Sequence, residues 1–292
     1  HSMTGAKTTV TPTKEQYKFI LPALIALIAI VAFPTVFLFY VSFHEWLLFQ
    51  PGRPFAGLGN FSNMVTSREF IHSIKITFLY VLLTTLATFV LGLALALILN
   101  EEIKARGAVR ALITLPIIVP PVVAGFTWKF MLNREVGVIG GYLLPLLGLE
   151  KSLLGDPTLA LISVVIADVW SKTSLMFLII LAGLQSISTE LYEVAKIDGA
   201  SFRKILRYVI LPLLKPAIVV ALILRFIDAF NTFDMIFVMT SGGPGIATQT
   251  LPLLGWKVGF LYFNLGEAAA LAVIMLFMTI AFSLILIRRL SR

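Results

Sequence analysis

The chain has 292 residues, 59% of them hydrophobic and 13% charged, and its mean hydropathy is +0.97. That composition excludes a water-soluble globular domain and points to a polytopic membrane protein. The net charge of +8 does not mark a nucleic-acid partner, because the basic residues punctuate apolar runs, and the lack of cysteine excludes disulfides, thiolate metal sites and thiol catalysis.

His1-Ser2 before Met3 reads as a cloning remnant. Residues 1–18 are polar, with Lys7, Lys14 and Lys18, and read as a cytoplasmic tail. The first apolar run, 19–43, can cross about 30 Å of hydrocarbon as a helix. It lacks a small-residue cleavage site, so it reads as a retained anchor. Pro34 should kink it. Trp46 and Phe49 follow where interfacial aromatics belong, and residues 50–69 read as a Gly/Pro-rich outer loop. The second span, 71–99, ends in a charged inner loop with Asn100, Glu101, Glu102, Lys104 and Arg106. The third, 109–131, carries Pro116, Pro120 and Pro121, each without the donor an interior turn needs, so it cannot be straight. Such a bend either packs the bundle or moves as the protein works. Residues 133–157 are too interrupted by Gly and Pro to span and read as an outer loop with short amphipathic pieces.

The fourth span is 158–184 and the fifth 213–239, with a polar, basic stretch at 185–212 between them. Ser241-Gly242-Gly243-Pro244 reads as a sharp outer turn. Residues 250–263, with Trp256, Tyr262 and Phe263, read as partly interfacial. The sixth span, 267–287, closes on Arg288, Arg289 and Arg292. The expected architecture is therefore all-α, with six transmembrane helices in one permease-like domain, 19–292. Fourteen of the 23 Lys and Arg fall in tails and loops on one side and six on the other. The excess places both termini, and 185–212, in the cytoplasm.

Within that stretch Glu190 and Glu193 alternate with Leu191, Val194 and Ala195 at helical spacing. Asp198-Gly199 ends the pattern, since Gly tolerates positive φ. Ala200 and Ser201 follow, and Ser201 is placed to cap a second short helix. There Phe202, Ile205, Leu206 and Val209 share one face, with Arg203, Lys204 and Arg207 on the other. The local pattern fits an ordinary positive-inside loop as well as a docking element.

No Gly-Lys dipeptide occurs, so there is no phosphate-binding GxxxxGK[ST] loop. His44 and His72 are isolated and make a metal site improbable. No nucleophile–base pair appears, so the chain should not be an enzyme, and energy must come from a partner. The ionisable residues inside spans are pathway or packing candidates. Asp168 and Lys172, at i, i+4 on the fourth span, are placed to neutralise each other, and Arg225 and Asp228 lie at i, i+3 on the fifth. Asp228, Asn231 and Asp234 recur every third residue, with Thr232 and the rings of Phe230 and Phe233 beside them. Hydrogen-bonding groups with aromatic platforms are what a sugar site needs. The same residues also serve as interhelical hydrogen-bond glue in many bundles.

The stretch from Glu193 to Pro212 resembles the EAA loop of ABC-importer membrane subunits: Glu193, Val194, Ala195, three residues, Gly199, nine residues, Val209, any residue, Leu211-Pro212. Val194 and Val209 depart mildly from the family's Ala and Ile. FAGLGNF at 55–61, Trp170, AGLQSI at 182–187 and Thr240-Ser241-Gly242-Gly243-Pro244 extend the resemblance over nearly the whole chain. Together they are similar to the carbohydrate branch, and more to its first membrane subunit than its second, as in maltose-type and glycerol-phosphate-type importers. The resemblance implies a type I importer permease fold in the bacterial inner membrane. It implies a coupling helix in which Glu193, Ala195, Asp198, Gly199, Ala200 and Ser201 dock onto an ATPase. It also implies a second homologous permease subunit and two ABC ATPase subunits that hold ATP and Mg. An extracytoplasmic solute-binding protein completes the assembly, and this chain binds no cofactor itself. Asn231 matches a position of the family's intramembrane sugar site; Asp234 does not belong to that pattern. A self-sufficient secondary carrier or channel is the competing reading, though no inverted repeat is visible. A non-transporting scaffold is a third.

Overall fold

The computed structural model describes residues 14–101, 104–148 and 151–290. The tail as far as residue 13, Glu102 and Arg292 therefore lie outside the described residues. Among the described residues, five helices are long and apolar enough to cross a membrane: Ile20–Ser42, Arg68–Asn100, Pro157–Gln185, Phe202–Phe230 and Leu265–Arg289. Arg106–Ile118 and Pro121–Leu132 complete a sixth span if the two pieces count as one.

Prolines mark where the first and third spans deform. The first helix starts at Lys14, so the end of the expected tail is helical. It widens to a π turn at Ile28–Ala32 and continues as Phe33–Ser42. Pro34 thus leaves the span unbroken, because the wider turn absorbs its missing N–H. The third span does break. Its first half tightens to a 3-10 turn at Leu115–Ile118, Val119 is extended as a residue before proline prefers, and the second half leaves at 99°.

The fifth span departs most from expectation. The short helix expected after Ser201 is not separate from it. Phe202–Ile205 passes through a π turn at Leu206–Ile210, just ahead of Pro212, into Leu211–Phe230. At the other end the helix stops at Phe230 instead of running to 239. The chain bends through Asn231–Phe233 and re-enters helix at Asp234–Thr240. Apolar residues continue through the break, so hydropathy alone does not register it.

Lipid removes most of the hydrophobic drive between helices, so close approach through small residues carries the packing. Gly92 of the second span faces the fourth, where an added Cβ would lie 2.5 Å from Met176 Cγ. Gly183 does the same for the fifth span at Ala217 and Leu214. Around these contacts Leu99, Phe177, Ile180, Leu184, Ile205 and Leu214 form a buried cluster at the end bearing the polar stretch. At the opposite end the helix Leu251–Leu261 packs Leu251 and Leu254 against Phe230 and Leu271. Asn60, from the FAGLGNF segment, donates to the Ser42 and His44 carbonyls at 2.9 Å and ties that loop to the first span. The imidazoles of His44 and His72 hydrogen-bond to the carbonyls of Tyr40 and Ile246 at 2.7 and 2.8 Å.

Candidate functional site: a cleft between broken spans and an exposed elbow

The breaks in the third and fifth spans meet. The two outgoing pieces, Pro121–Leu132 and Asp234–Thr240, pack together, with Gly125 under Val238 and Lys129 Nζ donating to the Val238 carbonyl at 3.0 Å. Where they diverge from their parent helices, a cleft of about 270 Å³ opens. It is lined by Pro121, Asp168, Lys172, Asp228, Asn231, Thr232, Phe233 and Asp234, with Ile227 and Met235.

Five of the six expected intramembrane residues therefore share one cavity, but not as a stripe along one helix. Asn231 terminates the helix and its amide N–H donates to the Ile227 carbonyl at 2.8 Å. Thr232 Oγ1 donates to the Asp228 carbonyl at 2.9 Å. Asp234 opens the following helix, is exposed, and holds no ion pair among the described residues. Phe233 stacks on Phe237 at 5.1 Å between centroids and adjoins Trp256 at 6.1 Å. The sixth, Phe230, is not at the cleft. It is 0% exposed and packs beside Phe226 and Phe78. An apolar ring one residue before the break still belongs to the helix and faces the core.

Of the two pairs the sequence pattern offers, Arg225 and Asp228 do meet on the fifth span, but the other does not form. Asp168 and Lys172 do not neutralise each other. Lys172 Nζ reaches across to Asp228 Oδ1 at 3.0 Å, and Arg225 forks between Asp228 Oδ2 at 2.7 Å and Asp168. Burial explains the exchange: a charge drawn between two spans is stabilised best by a partner on the facing helix, which also replaces its lost hydration. Asp168 and Arg225 are only 1% and 5% exposed, whereas Lys172 and Asp228 border the cleft. Asp168 Oδ1, Arg225 Nε and the neighbouring Tyr80 hydroxyl are buried without a hydrogen-bond partner. Nothing in the local sequence around Tyr80 singles it out. Chemically, the cleft offers amide, hydroxyl and carboxylate groups beside an aromatic ring, which suits a polyhydroxylated ligand.

The second feature lies at the other end of the fifth span. Ser188 caps the helix Thr189–Ile197, its hydroxyl accepting from Glu190 N at 3.3 Å. The helix stops at Asp198, and Gly199 turns with φ +73°. Gly199 N donates to the Lys196 carbonyl and Ala200 N to the Ala195 carbonyl, both at 3.0 Å, so two terminal carbonyls are satisfied by the turn itself. Ser201 occupies the cap position of the next helix, but its side chain makes no capping bond. Tyr192 leans back into the bundle, and burial, helped by the Glu101 carboxylate, raises its pKa. Glu193, Asp198 and Gly199 are exposed. So are four apolar side chains around the turn: Leu191, Val194, Phe202 and Ile197, the last at 84%.

Residues 88–292 match the family described as binding-protein-dependent transport system inner membrane component. The trehalose/maltose transport system permease protein MalF of Thermococcus litoralis is 39% identical over 279 residues, covering 94% of this chain and 93% of that one. The sn-glycerol-3-phosphate transport system permease protein UgpA of Agrobacterium fabrum is 34% identical over 266 residues, covering 91% and 90%. Among solved structures, a bacterial ABC transporter involved in the import of the acidic polysaccharide alginate superposes with a TM-score of 0.83 over 94% of each chain, at 23% identity. The proline-broken third span, the elbow before the fifth and the extent of these matches agree: the chain belongs to the inner membrane components of binding-protein-dependent transport systems, with the fold of an ABC-importer permease.

Proposed function

We propose that this chain forms half of the pore of an ATP-driven importer and moves a sugar or sugar derivative by alternating access. A second, homologous permease subunit completes the pore. Two ABC ATPase subunits bind ATP and Mg on the cytoplasmic side, where both termini of this chain also lie. An extracytoplasmic solute-binding protein delivers the cargo, and this chain holds no cofactor.

One observation carries the reading. The elbow at 189–202 presents Leu191, Val194, Ile197 and Phe202 to solvent around a rigid Gly199 turn. Exposed apolar side chains on a polar surface mark a docking site. A short stiff helix seated in an ATPase groove converts cassette closure into a tilt of the fifth span, because Phe202–Phe230 is one helix. That helix ends at the cleft, so elbow and cleft are the two ends of one lever. Sugar as cargo is supported by the cleft's polar and aromatic lining and by relatives that serve trehalose/maltose and sn-glycerol-3-phosphate systems. A structural neighbour solved with an alginate pentasaccharide-bound periplasmic protein supports the delivery partner.

The test is Glu193→Arg in the complete assembly. The variant inserts normally and hydrolyses ATP, but hydrolysis no longer drives uptake. Undiminished uptake overturns the proposal.

A further inference from the structure

The cleft contains cations, and cations invite the expectation of an anionic cargo. Their pairing argues the reverse. Lys172 is held at 3.0 Å by Asp228. Arg225 is held by both Asp228 and Asp168. These four groups come from the two helices that face one another, the fourth and fifth spans, and their formal charges cancel. Asp234 adds one carboxylate with no counter-ion among the described residues. From the third span only Pro121 contributes to the lining, and from the second the nearby ionisable group is the buried Tyr80 phenol. Among the described residues, this chain's side of the cleft therefore has a formal charge of minus one and no spare cation. Asp168 is among the lining residues, but it is 1% exposed and its charge is already counted against Arg225.

We propose that the paired quartet Asp168, Lys172, Arg225 and Asp228, together with unpaired Asp234, makes this cleft a charge filter that admits neutral saccharides and rejects phosphorylated or otherwise anionic ones. The proposal rests on the sugar-import reading above and names its substrate class. The physics is an imbalance. A neutral hydroxyl exchanges water for Asn231, Thr232 or Asp234 at little net change. A phosphate loses its hydration in a site of low dielectric and meets Asp234 without gaining a partner, since Lys172 can serve it only by abandoning Asp228.

The experiment measures binding of radiolabelled trehalose and trehalose 6-phosphate, with maltose and maltose 6'-phosphate as a second pair. The assembled complex is held in nanodiscs without the capture protein, so only the membrane subunits discriminate. The wild-type complex binds the phosphate at least about tenfold more weakly than the parent sugar, the factor one modest like-charge contact produces. Asp228→Asn, which frees Lys172, narrows the gap. Asp234→Asn narrows it through an exposed, unpaired residue whose replacement does not endanger folding. Lys172→Gln, which leaves Asp228 unpaired, widens it. Equal dissociation constants for sugar and phosphate in the wild type, or a gap that neither aspartate variant alters, overturn the filter while leaving a saccharide site in place. Absence of any saccharide binding, neutral or charged, overturns the sugar reading itself and the filter with it.

Discussion

Arg225 is held on two sides near the cleft. It is 5% exposed and its guanidinium spans Asp168 on the facing helix and Asp228 one turn along its own. Its planar fork presents donors in fixed directions to two carboxylates at once, whereas a lysine offers a compact, rotatable point charge. Removing it leaves Asp168 buried and unpaired, a change that costs about 3–5 kcal/mol in comparable buried pairs. Arg225→Leu should therefore lower the thermal stability of the purified protein sharply. The double variant Asp168→Leu/Arg225→Leu should recover most of the loss, because both buried charges leave together. A double variant no more stable than the single one would show that Asp168 is not left stranded.

Spans meet here through glycines and the third breaks at prolines, whereas the fifth breaks at Asn231–Phe233 without one. Where spans must lie flush, a hydrogen replaces a side chain. Gly92→Val would push Cβ to 2.5 Å from Met176 Cγ and 3.2 Å from the Phe177 nitrogen, contacts the rigid fourth span cannot yield. A destabilisation of about 1–3 kcal/mol is expected, read as a fall in detergent melting temperature. Gly107, with nothing within 4 Å of its added Cβ, is the control, and Gly107→Val should shift stability little. Where spans must turn, proline removes a donor. Pro120 and Pro121 turn the third by 99°, whereas Pro34 and Pro212 are each preceded by a π turn and leave their helices continuous. The same residue therefore breaks one span and merely widens another, according to whether the preceding turn can expand.

Across the whole molecule the fifth span connects an exposed elbow to an intramembrane cleft without interruption. On the proposed reading, the Phe202–Phe230 helix carries a push received at the elbow toward Asn231. Ile197 is 84% exposed, and burying such a side chain in a partner contributes roughly 1.5–3 kcal/mol. Ile197→Asp should accordingly weaken association with the ATPase subunits by at least about tenfold. Co-purification yield and stimulated ATP hydrolysis both report it, and an unchanged yield would deny the elbow its docking role. The competing carrier reading predicts ion-driven uptake by this chain alone in liposomes. Because Lys172, Arg225, Asp168 and Asp228 are consumed in mutual pairs, they are poorly placed to serve as a coupling-ion relay.

Residue order alone was enough for an all-helical chain of five spans, or six with the bent pair counted as one, for the bend at Pro120-Pro121 and for the helix–glycine–helix character of 189–205. Each is written in local chemistry: apolar length, a missing donor, a residue that tolerates positive φ. Five of the six residues singled out from the sequence line the cleft, since polar groups in a span are few enough to be counted. The sequence could not show that the fifth span stops at Phe230, that Phe230 turns into the core, or that Asp168 abandons Lys172 for Arg225. Those outcomes depend on which helix faces which. In a medium without water an ionised side chain takes partners from the neighbouring span as well as its own, and only the folded bundle determines what that neighbour is.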